Sequence, residues 1–374
     1  MPTSIRHTSV DLGFSASGGS GGRREMHRTP MQLLRQRVTN LFVRSASSTR
    51  GTVHYQSDSV PSSLTTTGKV GTIRDAQGSD GEFFGISPAP TEVEISDARR
   101  RNFTLDDNGF CRVDHAWDHI DYFDNNSILN VYYPECEELV RRHTGASRVL
   151  AFDHNLRARI KKASADNLKG AGANAVQEPL VTYGVHNDYT LESAPRRIEQ
   201  MSQPLGVNDT LRARAAMHGR DATPPLDPLD LERLLRGRWQ FINVWRNVAC
   251  APVLDKPLAL CDAASTVPED LVVFEIRYAD RVGENFFSRA NPRHAWYYYP
   301  SLTRDEAIMI KCWDSRGAAF AGKMEAARGY APCPTASSTV PATFSLHTGF
   351  EDPATPPGAP ERESIEVRLV AFYE

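Results

Sequence analysis

The sequence predicts a mainly β fold with flanking helices, whose core is a double-stranded β-helix of the jelly-roll or cupin-like type. Many short runs are apolar or alternate between apolar and polar residues, and turn residues separate them. These runs do not alternate with helical patterns in β-α-β order, which argues against a Rossmann fold. With 374 residues, 40% of them hydrophobic and 24% charged, the chain can form a packed core.

The first 65 residues differ from the rest of the chain. Residues 1–65 are predicted to be a disordered Ser/Gly/Arg-rich tail, because segments such as SASGGSGG (Ser15–Gly22) bury too little apolar surface to offset their ordering entropy. An organellar transit peptide is the alternative, since MQLLRQRVTNLFV (Met31–Val43) is amphipathic and bears arginine. Residues 66–374 are predicted to be a single jelly-roll domain with helical insertions.

One helix in this domain has clear boundary signals, and several strands follow it. Glu135–Arg142 is predicted as the helix body, with Pro134 in its first turn and Gly145 as its C-terminal stop. β-Branched, aromatic and alternating residues predict the strands. These strands are Thr91–Ile95, Ser147–Asp153, Trp239–Trp245, Leu271–Tyr278, Ile308–Asp314 and Arg362–Tyr373.

Charge, hydropathy and cysteine content limit the partners and the cellular compartment that the sequence predicts. A net charge of -3 offers no basic footprint for nucleic acid or an anionic membrane. No apolar run approaches the roughly 18 residues that a membrane span needs. The six cysteines contain no C-x-x-C pair, which favours a reducing compartment and predicts a cytoplasmic protein.

The segment YGVHNDYT (Tyr183–Thr190) contains the first candidate metal ligands. If PLVTYGV (Pro179–Val185) is a strand, His186 and Asp188 point to one face at its end. Two histidines and one carboxylate on one face form the usual non-haem iron site, which leaves positions open for substrate and oxygen. His347 is predicted as the third ligand, because it lies 159 positions after Asp188 (347 minus 188), just before the last strand.

The last predicted strand contains a candidate anchor for 2-oxoglutarate. The planar guanidinium of Arg362 can bind the distal carboxylate of this cosubstrate with two hydrogen bonds, and Ser364 on the same face can add a hydroxyl. Arg368 faces the same way. Three roles stay open for Arg368: binding the same cosubstrate, binding the metal-side carboxylate, or pairing with a surface acid.

Aromatic residues supply a candidate substrate pocket. Asn243 and Trp245 share one face of their predicted strand, so Asn243 is predicted to reach the cosubstrate and Trp245 to line the pocket. Trp296 and Tyr298, in HAWYYYP (His294–Pro300), are the other predicted pocket residues. The alternative is that these aromatic residues belong to the ordinary core.

Other histidines compete for a metal. His115 and His119 in HAWDH have the i, i+4 spacing that places two imidazoles on one helical turn, as in a zinc site. The segment lacks the glutamate of the H-E-x-x-H motif, which makes this site the weaker candidate. His154 and His294 are predicted to be packed or hydrogen-bonded structural residues.

Several strings, in order along residues 70–374, resemble a known family. It is the fungal and bacterial hydroxylase/desaturase family related to the cephalosporin 7α-methoxylase subunit, often labelled gibberellin-desaturase-like. The strings are GASRVLAFDHNLR (Gly145–Arg157), VHNDYT (Val185–Thr190), FINVWR (Phe241–Arg246), PLALCD (Pro257–Asp262), HAWYYYP (His294–Pro300), KCWDS (Lys311–Ser315), HTGFEDP (His347–Pro353) and RESIEVR (Arg362–Arg368).

This resemblance implies an Fe(II) and 2-oxoglutarate-dependent oxygenase. Such an enzyme uses O₂ to hydroxylate or desaturate a small secondary metabolite and decarboxylates 2-oxoglutarate to succinate. The resemblance assigns the iron to His186, Asp188 and His347, and the cosubstrate to Arg362. Two alternatives stay open: a non-catalytic accessory subunit of a tailoring enzyme, and a metal-dependent oxygenase that does not use 2-oxoglutarate.

Overall fold

A computed structural model describes residues 47–64, 69–74, 80–117, 120–159, 176–179, 181–206, 209–217, 219, 223–278, 281–320 and 339–373. All of them belong to one compact unit, residues 44–374. Its strands are β1 Ser48–Gln56, β2 Gly71–Arg74, β3 Asp80–Phe84, β4 Pro88–Asp97, β5 Phe110–Asp114, β6 Arg148–Arg157, β7 Arg238–Asn247, β8 Leu258–Cys261, β9 Leu271–Arg277, β10 Val282–Ser288, β11 Trp296–Tyr298, β12 Glu306–Asp314, β13 His347–Gly349 and β14 Ser364–Tyr373.

Helices occupy the connections between these strands. The α-helices are α1 Asn125–Ser127, α2 Tyr133–Thr144, α3 Ser193–Met201, α4 Thr210–Met217 and α5 Leu231–Arg236. A π-helical turn, Ile128–Tyr132, joins α1 to α2. Short 3₁₀ segments are Ala98–Arg100, Pro228–Asp230, Ala263–Ser265, Pro268–Asp270 and Ala318–Phe320.

The strands form three hydrogen-bonded groups. One is a five-stranded antiparallel sheet in the order β5-β12-β7-β14-β6, called here the major sheet. The others are a five-stranded group, β1-β4-β11-β8-β13, and a four-stranded group, β10-β9-β2-β3. His186 forms a single-residue bridge to β13 on one side and to β10 on the other, so it joins these two groups. This architecture confirms the predicted mainly β, jelly-roll fold class.

The major sheet buries both of its faces. On β14, Val370 and Phe372 belong to the inner cluster, together with Leu260 of β8 in another strand group. Ile365 and Val367 belong to an outer cluster that includes residues of α2. Alternate residues of a strand point to opposite faces, so the two clusters follow from the alternation in the sequence. The alternation predicted for the last strand is confirmed.

The predicted helix is also confirmed, and its ends follow the expected chemistry. Pro134 lies in the first turn of α2, where a missing backbone N–H costs nothing. Gly145 ends the helix with a φ of 70°, and its N–H donates to the carbonyl of Arg141 at 2.9 Å. A left-handed residue at this position favours glycine because it has no Cβ.

The predicted disordered tail extended too far along the chain. Ser48–Gln56 is strand β1, paired antiparallel with β4, and its residues Val53 and Tyr55 are buried. The serine and glycine content of the surrounding segments obscured the short alternation of these two apolar residues. The rest of the predicted tail up to residue 46, with the transit-peptide candidate Met31–Val43, lies outside the described residues.

The strand predicted at Pro179–Val185 is wrong. Residues 181–185 form turns and bends, and Gly184 has a φ of 114°, which an extended strand does not contain. Val185 forms backbone hydrogen bonds with β1 and β10, and His186 forms one-residue bridges to β10 and β13. The two candidate ligands of this segment therefore lie on a loop that backbone pairing holds in place.

Candidate functional site

The structure brings the three predicted metal ligands together. One ligand atom from each of His186, Asp188 and His347 lies within 4.8 Å of the other two. The backbones of the two histidines also pair. The N–H of His347 donates to the carbonyl of His186 at 2.8 Å, and the N–H of His186 donates back at 3.3 Å. Ligands that are far apart in sequence are thus held together by the main chain.

The hydrogen bonds of both imidazoles leave the same nitrogen free. Nδ1 of His186 lies 2.8 Å from the carbonyl of Gly184, and Nδ1 of His347 lies 3.2 Å from the carbonyl of Ser345. A carbonyl only accepts, so each Nδ1 carries the proton and each Nε2 keeps its lone pair. Burial, together with the neighbouring His347, lowers the pKa of His186 to about 3. Neutral imidazole is the form that binds a metal.

The carboxylate of Asp188 is ionised and closely surrounded. Its Oδ2 accepts a hydrogen bond from Nδ2 of Asn243 at 2.6 Å and lies 3.6 Å from Nε of Arg368. The thiol of Cys312 lies 3.6 Å from the same oxygen. Burial opposes ionisation, but Arg368 and the two imidazoles outweigh it and hold the pKa of Asp188 below its usual value. Two neutral imidazoles and one carboxylate are a donor set that suits Fe(II).

Arg362 is a buried cation without an acid beside it. The residue is 4% exposed, and its guanidinium carbon lies 5.9 Å from the ring centroid of Trp245. Its Nη1 donates to the carbonyl of Lys256 at 2.5 Å, while its Nε has no partner. Among the described residues, none places a carboxylate within ion-pair distance of it.

This environment fits a ligand that carries a carboxylate. Burial, together with nearby Arg157, lowers the pKa of Arg362 to about 9. An uncompensated buried charge costs several kcal/mol in free energy, and a bound carboxylate would remove that cost. The distal carboxylate of 2-oxoglutarate meets this requirement.

Ser364 is the first residue of β14, two positions after Arg362. It is 1% exposed and lies directly opposite Arg157 of β6 and Asn247 of β7. Directly opposed residues share a face of a sheet, so Arg157 also points to the inner side. Sequence reasoning missed Arg157, although it is the last residue of the family string that begins at Gly145.

Arg368 and Asn243 both contact Asp188. Arg368 forms a second ion pair with Asp153 at 3.1 Å and a third with Glu366 at 3.5 Å. Of the three roles left open for Arg368, the structure shows pairing with acids, both the candidate ligand Asp188 and the partly exposed Asp153, and the role toward the cosubstrate stays a prediction. Asn243 likewise donates to Asp188, whereas the sequence predicted that it reaches the cosubstrate.

Glu366 is a site residue that sequence reasoning placed on the right face without giving it a role. It lies between Ser364 and Arg368 on the inner side of β14. Burial, together with the charge of Asp188, raises the pKa of Glu366. The alternation of RESIEVR already placed this carboxyl beside Arg368, and that was the available signal.

Two of the predicted pocket residues lie elsewhere, and this prediction is corrected. Strand register places His347 opposite Leu260 of β8, and Leu260 opposite Tyr297 of β11. Trp296 and Tyr298, the immediate neighbours of Tyr297, therefore point to the other face of the sheet. The indole N–H of Trp296 donates to the hydroxyl of Tyr55 at 2.9 Å in the core. Tyr298 packs edge-on against Phe350, with ring centroids 5.4 Å apart. Trp245 alone of the predicted pocket residues faces the site.

The competing zinc site is wrong as predicted, because residues 115–117 are not helical. His115 lies 2.7 Å from a carboxylate oxygen of Glu135 and also contacts the guanidinium of Arg246. Its predicted partner, His119, lies outside the described residues. 

The two histidines predicted to be structural have hydrogen bonds in the core. Nδ1 of His154 lies 2.8 Å from the hydroxyl of Tyr133. Nδ1 of His294 lies 2.9 Å from the hydroxyl of Tyr55. Both observations agree with the sequence-based expectation.

Comparison with known proteins places the chain in a family. A family model described as an oxidoreductase/YMDC permease-like domain matches residues 65–219 and again residues 208–372. The chain belongs to this family. No helix in the described part of the chain is long and apolar enough to cross a membrane.

Some of the curated relatives of this chain are named for an enzyme activity. An uncharacterised protein of the dcmA 3′ region from Methylophilus leisingeri is 37% identical over 52% of this chain and 89% of its own length. The alpha-ketoglutarate-dependent dioxygenase phiK from a fungal species is 25% identical over 81% of this chain and 91% of its own. The hydroxylase/desaturase efuI from Hormonema carpetanum is 28% identical over 75% of this chain and 83% of its own length. The predicted resemblance to hydroxylase/desaturase proteins is confirmed, while the link to the cephalosporin methoxylase subunit stays a prediction.

A solved structure shows the same fold. The iron and alpha-ketoglutarate-dependent endoperoxidase NvfI superimposes with a TM-score of 0.61 at 23% sequence identity. The match covers 87% of this chain and 98% of NvfI.

Proposed function

We propose that this protein is an Fe(II) and 2-oxoglutarate-dependent oxygenase that hydroxylates or desaturates a small secondary metabolite. The observation that carries this proposal is the cluster of His186, Asp188 and His347, whose ligand atoms lie within 4.8 Å of one another. The names of the curated relatives support it, since they include an alpha-ketoglutarate-dependent dioxygenase and a hydroxylase/desaturase.

The site has two ends, one for iron and one for 2-oxoglutarate, and different residues would serve each of them. His186, Asp188 and His347 would hold the iron through two imidazole nitrogens and one carboxylate. Arg362, with the hydroxyl of Ser364, would hold the distal carboxylate of 2-oxoglutarate. When both are bound, iron, 2-oxoglutarate and O₂ supply the oxidising power, and 2-oxoglutarate is decarboxylated to succinate.

The chain itself supplies orientation and exclusion of water. Trp245 covers the guanidinium of Arg362, and the inner cluster surrounds the ligands with apolar side chains. Removing water strengthens the ion pair between Arg362 and an incoming carboxylate. A cytoplasmic location, and a small molecule rather than nucleic acid as partner, complete the proposal.

The test is an anaerobic titration of the purified protein with Fe(II) and 2-oxoglutarate. A weak visible charge-transfer band is expected when the cosubstrate chelates iron in such a site. We expect the band in the wild type and its loss in His186→Ala and in Arg362→Ala. Arg236→Ala is the control, because Arg236 is an exposed residue of α5 that pairs with Glu232. This control should keep the band.

The other outcomes identify the alternatives. Normal iron binding without a band would remove 2-oxoglutarate and leave a metal-dependent oxygenase of another kind. A wild-type protein that binds no iron would contradict the proposal and favour the accessory subunit.

A further inference from the structure

The two carboxylate oxygens of Asp188 have different surroundings. Oδ2 accepts from Asn243 at 2.6 Å and lies 3.6 Å from both Nε of Arg368 and Sγ of Cys312. Oδ1 lies on the side of His186, with Nε2 of that imidazole 3.7 Å away. No described residue donates a hydrogen bond to Oδ1. Oδ2 therefore has a hydrogen bond with Asn243 and an ion pair with Arg368, and Oδ1 lies on the side of His186.

The amide and the cation beside Oδ2 come from paired strands, and the cation has a second partner. Asn243 and Arg368 lie directly opposite each other on the neighbouring strands β7 and β14, near the middle of the major sheet. Asp153 holds the guanidinium of Arg368 at 3.1 Å, and Thr210 of α4 donates to Asp153 at 3.1 Å. A donor anchored at both ends restricts rotation of the carboxylate that it contacts.

We propose that Arg368 and Asn243 are positioning residues that hold Oδ2 of Asp188, so that Oδ1 alone binds the metal. This inference rests on the proposed function, because it requires a metal at the site. A carboxylate that rotates freely can bind a metal through both oxygens and take up a further coordination position. Fixing Oδ2 keeps that position available. Neither residue then serves as an anchor for 2-oxoglutarate, in contrast to Arg362.

The test compares one substitution at two arginines of the same face. Arg368→Lys keeps the positive charge but loses the planar fork, and Arg362→Lys is the matched control. Co(II) is titrated into each metal-free protein, and its visible absorption gives both the affinity and the coordination geometry. We expect 10- to 100-fold weaker Co(II) binding and an altered spectrum for Arg368→Lys, since removing partners of metal ligands has effects of about this size. Arg362→Lys should bind Co(II) like the wild type.

Binding of 2-oxoglutarate to the Co(II)-loaded proteins should affect the two variants in the opposite way to Co(II) binding. Calorimetry should show weaker 2-oxoglutarate binding for Arg362→Lys and unchanged binding for Arg368→Lys at saturating Co(II). An Arg368→Lys protein with wild-type Co(II) affinity and weakened 2-oxoglutarate binding would overturn the inference. So would a lower melting temperature with unchanged Co(II) affinity and spectrum, which is the result of a purely structural role.

Asn243→Ala provides an independent variant that leaves every ion pair of Arg368 in place. It should also weaken Co(II) binding and alter the spectrum, and unaltered Co(II) binding here would contradict the inference. If Arg368→Lys does not fold, this variant decides alone. A wild-type protein that binds no Co(II) would overturn the proposed function itself, and the inference with it.

Discussion

Arg362 and Arg368 lie six positions apart on the same inner face, yet their electrostatic surroundings are opposite. Arg368 contacts three acids, Asp153, Asp188 and Glu366, within 3.6 Å. Arg362 has no acid within ion-pair distance among the described residues, and its Nε has no partner. In the described part of the chain, the fold neutralises Arg368 with its own side chains and leaves Arg362 without an acid within ion-pair distance. This difference fits the proposed role of Arg362 in binding a carboxylate.

The largest expected effect is on the stability of the metal-free protein. Arg368→Gln leaves the largely buried Asp188 and Glu366 and the partly exposed Asp153 without their cation, and should lower the free energy of unfolding by about 3–5 kcal/mol. Arg362→Gln removes a buried charge that has no acid within ion-pair distance among the residues described, so we expect the metal-free protein to lose no stability. Urea unfolding of both variants beside the wild type measures the difference. Equal losses of unfolding free energy in the two variants would show that the fold does not neutralise the two arginines differently.

A smaller effect is expected from the ligand that completes Arg362. At a concentration 100 times its Kd, 2-oxoglutarate should stabilise the metal-loaded wild type by about 2.7 kcal/mol, which raises its melting temperature. The same concentration should leave Arg362→Gln unchanged. The dimethyl ester of 2-oxoglutarate, which lacks both charges, is the control ligand and should not stabilise the wild type. Equal stabilisation by acid and ester would mean that Arg362 does not recognise a carboxylate.

The smallest expected effect is the contribution of the metal end to the pH dependence of stability, which adds to that of the buried His154. The folded-state pKa of His186, about 3, is below the ordinary value of 6.5. The unfolded chain therefore binds this proton more readily, and the stabilisation present above pH 6.5 is lost as the pH falls. Between pH 6.5 and pH 5 the loss from this group is about 1.5 kcal/mol.

Urea unfolding of the metal-free protein at these two pH values checks that loss. His186→Gln should have a shallower pH dependence than the wild type. Arg362→Gln, which changes only the cosubstrate end, should keep the dependence of the wild type. A parallel pH dependence in wild type and His186→Gln would argue against a neutral, buried His186.

The sequence predicted those parts of the fold that local patterns determine. Alternating β-branched and aromatic residues predicted β7, β9 and β14, and Pro134 with Gly145 marked the ends of α2. Strand β1 was missed because Ser- and Gly-rich segments surround its few apolar residues. The loop before His186 was taken for a strand, since its apolar residues match a strand pattern while Gly184 needs a positive φ.

In the candidate site, too, local sequence predicted the residue types but not the contacts between strands. Residue type and order along the chain singled out His186, Asp188, His347 and Arg362, because ligand chemistry restricts which side chains can serve. The partners of Arg368 depend on strand register, which no local pattern contains. The register of β8, β11 and β13 likewise decides that Trp296 and Tyr298 point away from His347.

The reciprocal backbone bridge between His186 and His347 has a consequence for biosynthesis. These residues are 161 positions apart (347 minus 186), so the bridge is a contact of very long sequence separation. A nascent chain that ends before β13 lacks both the third ligand and the backbone partner that holds the first. Iron therefore cannot guide the steps of folding that precede the synthesis of β13.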